Sequence, residues 1–156
     1  MSTIIIVPFA RKKFDGTTNP KTYPFWNEVV EQLQSKYHLV QVGERGEDKL
    51  VQDVRFNLSQ KEHKKLLSEA LTFMSVDTWY PHFAHKQGKP GVVIWGKSNP
   101  RIFGYETHFN IYKDTRYFRK EQFRVWNDEP YDVSVFLEPS KVIEAVETCV
   151  RFLTQN

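Results

Sequence analysis

Short apolar runs alternate with amphipathic stretches along most of this chain. Thr3–Val7 (TIIIV) is a β-branched run closed by Pro8, the pattern of a strand covered on both faces of a parallel sheet. Phe25, Trp26, Val29, Val30, Leu33 and Tyr37 then recur at helical spacing and predict a helix over about 24–36. His38–Val42 (HLVQV) predicts a second strand, ended by Gly43. The polar segment 44–52 is expected to form a short helix, and Asp53–Asn57 a weaker third strand. Ser59 with Glu62 makes a capping box, opening a helix whose inner face is Leu66, Leu67, Ala70 and Leu71. Strand Thr72–Val76, helix 80–87, strand Gly91–Trp95 and short strand Phe109–Tyr112 follow. Ser140 is expected to cap a last helix that turns Val142, Ile143, Val146, Val150 and Leu153 inward. Alternating strands and helices of this kind predict an α/β fold: a Rossmann-like parallel sheet with helices on both faces.

Composition narrows the class. The 156 residues are expected to form a single domain over 1–156, and 40% hydrophobic with 15% aromatic content excludes a disordered chain. No run approaches the roughly 20 apolar residues of a membrane span. Ile4–Val7 is too short for the apolar core of a secretory signal and lacks a basic stretch before it. The lone cysteine, Cys149, excludes an internal disulfide and reads as a small buried hydrophobe on the last helix. A cytoplasmic protein is the expectation. A net charge of +3 permits a phosphate-bearing partner without requiring one.

Ligands of open parallel sheets sit at the carboxyl ends of the strands, so the candidate chemistry lies in the segments that follow them. Pro8–Thr22 carries four cations, three hydroxyls and a glycine before a helix N-terminus, the ingredients of an anion site. It matches neither GxxxxGK[ST] nor GxGxxG. Gly43–Asp48 offers acids at a strand end, where a carboxylate can hold a ribose. Asp77 and Thr78 stand at another strand end, before the next helix. His82 and His85 are three apart on that helix without an acid or thiol at ligand spacing, so no metal is expected. Tyr112–Trp126 interleaves Lys113, Arg116, Arg119, Lys120 and Arg124 with aromatics. That pattern can grip single-stranded nucleic acid, but aromatics packed inward under a solvated surface is the favoured reading.

Several of these pieces occur in one order. Thr17…Lys21-Thr22-Tyr23-Pro24 follows the first strand, and Asp77-Thr78…His82 follows the fourth. Lys89-Pro90 precedes Val92–Ile94, and Gly96-Lys97-Ser98-Asn99-Pro100 closes the set. The order and spacing resemble the C-terminal half of glycosyltransferase family 9, the ADP-heptose:lipopolysaccharide heptosyltransferases, over roughly 3–153. The resemblance implies one Rossmann-like half of a GT-B glycosyltransferase, the half that binds the nucleotide part of a nucleoside diphosphate sugar. It implies Thr17 and Lys21 on the diphosphate, Glu47 on the ribose, Asp77 and Thr78 on the phosphate and sugar side, and His82 touching ligand or orienting Asp77. It carries over no catalytic base and no cofactor, and implies a partner chain or homodimer that completes the cleft. The family's motif glycine is Trp79 here, and an indole would fill the space that glycine leaves open. A non-catalytic module that senses or sequesters a nucleotide or nucleotide sugar, and a polyanion binder using 112–126, are the alternatives.

Overall fold

The alternation inside Thr3–Val7 sorts its side chains onto two faces. Ile4 and Ile6 enter one hydrophobic core, and Ile5 and Val7 a second on the opposite side. The computed structural model describes residues 1–155. Its strands are β1 (Thr3–Val7), β2 (His38–Gly43), β3 (Asp53–Phe56), β4 (Thr72–Val76), β5 (Val92–Ile94) and β6 (Phe109–Ile111). They form one six-stranded sheet in the order β3-β2-β1-β4-β5-β6. Every pairing is parallel, with Ile4 opposite both Leu39 and Thr72. The order runs outward from β1 in one direction and from β4 in the other, the Rossmann-like arrangement expected from the sequence.

Five helices cover the sheet: α1 (Trp26–Leu33), α2 (Gln60–Glu69), α3 (Trp79–Lys86), the single turn α4 (Pro100–Phe103) and α5 (Pro139–Thr154). On the Ile4 face, Trp26, Val29, Val30 and Leu33 of α1 meet Val142, Val146 and Cys149 of α5. On the Ile5 face, Leu66 and Leu67 of α2 meet Tyr80, Phe83 and Ala84 of α3. Ser59 and Glu62 form the reciprocal capping box that opens α2. The Cys149 side chain is fully buried, its Sγ 3.6 Å from Thr72 Oγ1, and burial pushes the thiol pKa up. No helix among the described residues is long and apolar enough to cross a membrane.

Three local expectations are corrected. The segment 44–52 is not helical. Gln41, buried in β2, donates from Nε2 to the Asp48 carbonyl and accepts the Leu50 N–H at Oε1, both at 2.8 Å. Those bonds occupy backbone groups a helix would need, so a core side chain overrides local propensity. The last helix starts at Pro139 with Glu138 at the N-cap and no side-chain cap bond, so Ser140 lies inside the first turn. Proline at the first helical position supplies the preset φ instead. Helix α1 ends at Leu33, because Lys36 and Tyr37 both donate to the Leu33 carbonyl and turn the chain into β2.

Candidate functional site

Two adjacent parallel strands whose following connections leave in opposite directions open a crevice at their carboxyl ends. Here those strands are β1 and β4. A cleft of about 970 Å³ occupies that position. Val7 at the end of β1 lines it with Phe9, Arg11 and Lys21 beyond that strand, Gly43 at the end of β2 with Glu44 and Glu47 beyond it, and Asn57 and Leu58 from beyond β3. Asp77 and Thr78 form its β4 side, and Trp79, His82, Phe83 and Lys86 bring in one face of α3.

The centre of the cleft is an ion pair. Lys21 Nζ stands 3.1 Å from Asp77 Oδ2, with 9% of the aspartate side chain exposed. The ammonium lies outside the angular range of a hydrogen bond, so Oδ2 has a charge partner but no hydrogen-bond donor. Lys21 Nζ also lies 5.0 Å from the centre of the Trp126 ring, at cation–π distance. Thr78 is the N-cap of α3 and accepts the Tyr80 N–H at 3.3 Å. The positive end of α3 therefore opens beside the pair. His82 lies one turn further along, its Nδ1 2.7 Å from the Tyr105 hydroxyl.

Glu47 lines the cleft but is folded back across Gly43, where a Cβ would run into its Oε1. That oxygen accepts the Glu44 N–H at 2.8 Å, and burial raises the pKa of the carboxyl. Its Oε2 makes no hydrogen bond within the chain among the described residues and remains open to a ligand. Thr17 is not brought to the cleft. It is exposed, and its hydroxyl donates to Asp15 at 2.6 Å within a surface turn. Five of the six residues expected at the site thus share one crevice.

Trp79 does not lie across the Lys21–Asp77 pair. Its ring meets His63 of α2 edge-on at 5.0 Å and Phe83 at 5.5 Å, and the residue is 53% exposed. It makes an aromatic wall on the α2 side of the cleft, which Leu58 and Phe9 also line. The sequence reading missed His63, Leu58 and Lys86. Lys86 follows His82 at helical spacing and was legible in principle, whereas His63 reads as one more residue of a polar helix. His63 and His108 are both buried, and burial lowers both pKa values. Their folded forms are neutral, so the stability they permit is present above an ordinary histidine pKa of about 6.5 and is lost as pH falls below it. The melting temperature is expected to drop as pH falls below about 6.5, and His63→Leu should flatten that slope in a melting series carried to acid pH.

The Gly96–Pro100 segment, also read as a candidate, lines none of the cleft. It anchors the following chain instead. Gln122 accepts the Asn99 N–H and donates to the Lys97 carbonyl, each at 2.9 Å. The cations of 112–126 are largely occupied within the chain. Lys113 donates to the Ser134 carbonyl, Arg116 lies over Tyr117, and Arg119 stacks 3.3 Å above the Trp126 ring and donates to the Arg124 carbonyl. Lys13 donates to the Glu129 carbonyl, so the chain just beyond 112–126 braces the loop after β1. His85 Nδ1 lies 3.2 Å from Thr107 Oγ1, and no metal-holding group of three or more His, Cys, Asp or Glu occurs among the described residues.

No protein-family model matches the chain, and no curated protein matches it. Solved structures do. Escherichia coli ADP-heptose lipopolysaccharide heptosyltransferase II superposes with a TM-score of 0.71 at 17% identity, over 96% of this chain and 46% of that one. A glycosyltransferase family 9 protein of Veillonella parvula gives 0.70 at 17% identity, again over 96% and 46%. E. coli heptosyltransferase WaaC, solved with ADP, gives 0.66 at 16% identity over 95% and 44%. The chain thus spans just under half the length of the structures it matches, and its fold is that of one Rossmann-like half of a GT-B glycosyltransferase.

Proposed function

We propose that the β1–β4 cleft binds a nucleoside diphosphate, as such or as the leaving portion of a nucleotide sugar. The chain then serves as the donor-binding half of a glycosyltransferase. The observation that carries this reading is the Lys21–Asp77 pair at the switch point, under the N-terminus of α3 and facing an aromatic wall. An ammonium and a helix N-terminus are chemistry for the phosphates. The Trp79–Leu58 wall suits the base, and the open oxygen of Glu47 suits the ribose hydroxyls. Asp77, whose Oδ2 is buried against Lys21, holds that ammonium at the cleft. The likeness to WaaC, solved with ADP, supports the same ligand class. Sugar transfer also takes an acceptor held against the anomeric carbon and a base for its proton. We assign those to a second domain or subunit facing this cleft.

Thermal unfolding tests the reading. ADP at about 100 times its dissociation constant should add roughly 2.7 kcal/mol, a rise of about 5–10 °C for a chain of this size. Adenosine and pyrophosphate added separately should each do less. Gly43→Ala should weaken ADP about tenfold by displacing the Glu47 carboxylate, the equivalent of one charge-assisted hydrogen bond. It should lower the ligand-free melting temperature by only about 1–6 °C, because a flexible side-chain tip moves and gives up one exposed hydrogen bond, to the Glu44 N–H. If no nucleoside diphosphate shifts the melting temperature at millimolar concentration, the reading is wrong.

A further inference from the structure

We propose that Tyr105 is a positioning residue that holds His82 in the tautomer with its proton on Nε2. His82 then presents a hydrogen-bond donor to the cleft and does not act as a base. The argument starts from the 2.7 Å contact between His82 Nδ1 and the Tyr105 hydroxyl. In a neutral pair, either the phenol O–H or the imidazole N–H donates. A phenol is the stronger acid, and an unprotonated imidazole nitrogen is the stronger acceptor, because the phenol oxygen delocalises its lone pair into the ring. The O–H therefore donates to Nδ1, and the ring proton resides on Nε2. When the ring is charged, Nδ1–H donates to the tyrosine oxygen and Nε2 still carries a proton. In both states the nitrogen not bonded to Tyr105 is a donor.

Tyr105 is itself held in place. Its ring stacks on His85 at 3.8 Å with 13° between planes, and His108 meets it edge-on at 5.8 Å. Its carbonyl accepts from Asn110 Nδ2 at 2.8 Å and from the His108 N–H at 3.1 Å. The hydroxyl thus arrives at Nδ1 from a fixed ring, as a partner that sets a tautomer must. Among the described residues Nε2 has no partner within the chain, and His82 lines the cleft between Thr78 and Lys86 on the same face of α3. Imidazole N–H and the Lys86 ammonium follow the α3 N-terminus at four-residue spacing, a pair of donors suited to successive phosphate oxygens. That use of the donor rests on the phosphate reading above. The tautomer lock does not.

Nitrogen-15 imidazole spectra of the ligand-free protein at about pH 8.5, where ordinary histidines are neutral, test the lock directly. His82 should show an unprotonated Nδ1 and a protonated Nε2. Tyr105→Phe, which keeps the stacked ring, should move both signals toward the average of two tautomers. A wild-type His82 protonated on Nδ1, or signals unchanged in Tyr105→Phe, would overturn the proposal. ADP titration reads its use separately. Tyr105→Phe should weaken ADP about five- to tenfold, the share of one hydrogen bond, and should add nothing in a His82→Ala background. An additive loss there would make Tyr105 a contact of its own and remove the positioning role. Absence of ADP binding by the wild type would sink the phosphate reading while the spectra still decide the lock.

Discussion

Lys21→Ala is expected to remove about 3 kcal/mol of stability, the low end of the range for leaving one charge of a buried pair alone. The loss should appear as a melting temperature lower by roughly 6–12 °C. Asp77 is the charge left behind. Its side chain is nine-tenths buried, and Oδ2 has no hydrogen-bond donor to fall back on once the ammonium 3.1 Å away is gone. The lost contact with Trp126 adds to the effect. Asp77→Asn in the Lys21→Ala background should recover most of the stability, because a neutral amide needs no counter-charge. It should not recover ADP binding, which on the proposed reading needs the cation itself. The two readouts therefore separate: calorimetry follows the orphaned carboxylate, and ADP titration follows the missing ammonium. A Lys21→Ala protein as stable as wild type would mean that water satisfies Asp77 and that the pair is not a structural element of the cleft.

Trp26→Ala is expected to have the larger effect on stability, about 3–5 kcal/mol, through the cavity left by a fully packed indole. Trp26 is 3% exposed and packs in the Ile4-side core, edge-on to Tyr23 at 5.7 Å. Its Nε1 donates to the Pro8 carbonyl at 2.9 Å, the first carbonyl beyond β1. The indole therefore ties α1 to the start of the loop that carries Lys21. That loop is fastened further by Ala10 N–H donating to Thr22 Oγ1 at 3.1 Å and by Tyr131 donating to the Thr22 carbonyl at 2.7 Å. Trp26→Phe keeps most of the packing and orphans only the Pro8 carbonyl, so about 1–2 kcal/mol should be lost. Denaturant unfolding of the two variants separates the packing share from the hydrogen-bond share. Equal losses would assign the whole effect to the hydrogen bond and refute the cavity argument.

What the sequence determined alone is what neighbouring residues decide among themselves. The alternation of Ile4 and Ile6 against Ile5 and Val7 already requires a strand covered on both faces, and the structure divides them between two cores. Ser59 and Glu62 settle where α2 begins without help from the rest of the chain. The carboxyl-end rule then points to the segments that carry Lys21, Asp77 and Thr78 as soon as the strands are drawn, and the family resemblance adds His82. Tertiary structure decided wherever a distant side chain outweighed a local preference. Gln41 reaches out of β2 to hold 48–50 off the helix their composition suggests. Lys21 meets Asp77 because β1 pairs in parallel with β4, Val7 beside Ser75, so that both strands end at the same level. Thr17, in the same loop as Lys21, is turned away because Asp15 takes its hydroxyl. Trp79 lines a wall and leaves the ion pair open because His63, on another helix, lies beside its ring. Gly96–Pro100, which follows a strand end as the other candidates do, and Tyr112–Trp126, whose pattern favours a packed surface segment, are bonded mainly to each other and to the rest of the chain. Periodicity and capping act over a few residues and can be read from the chain. The partner of a charge or an aromatic ring is chosen by the packing of the sheet, and only the folded chain displays it.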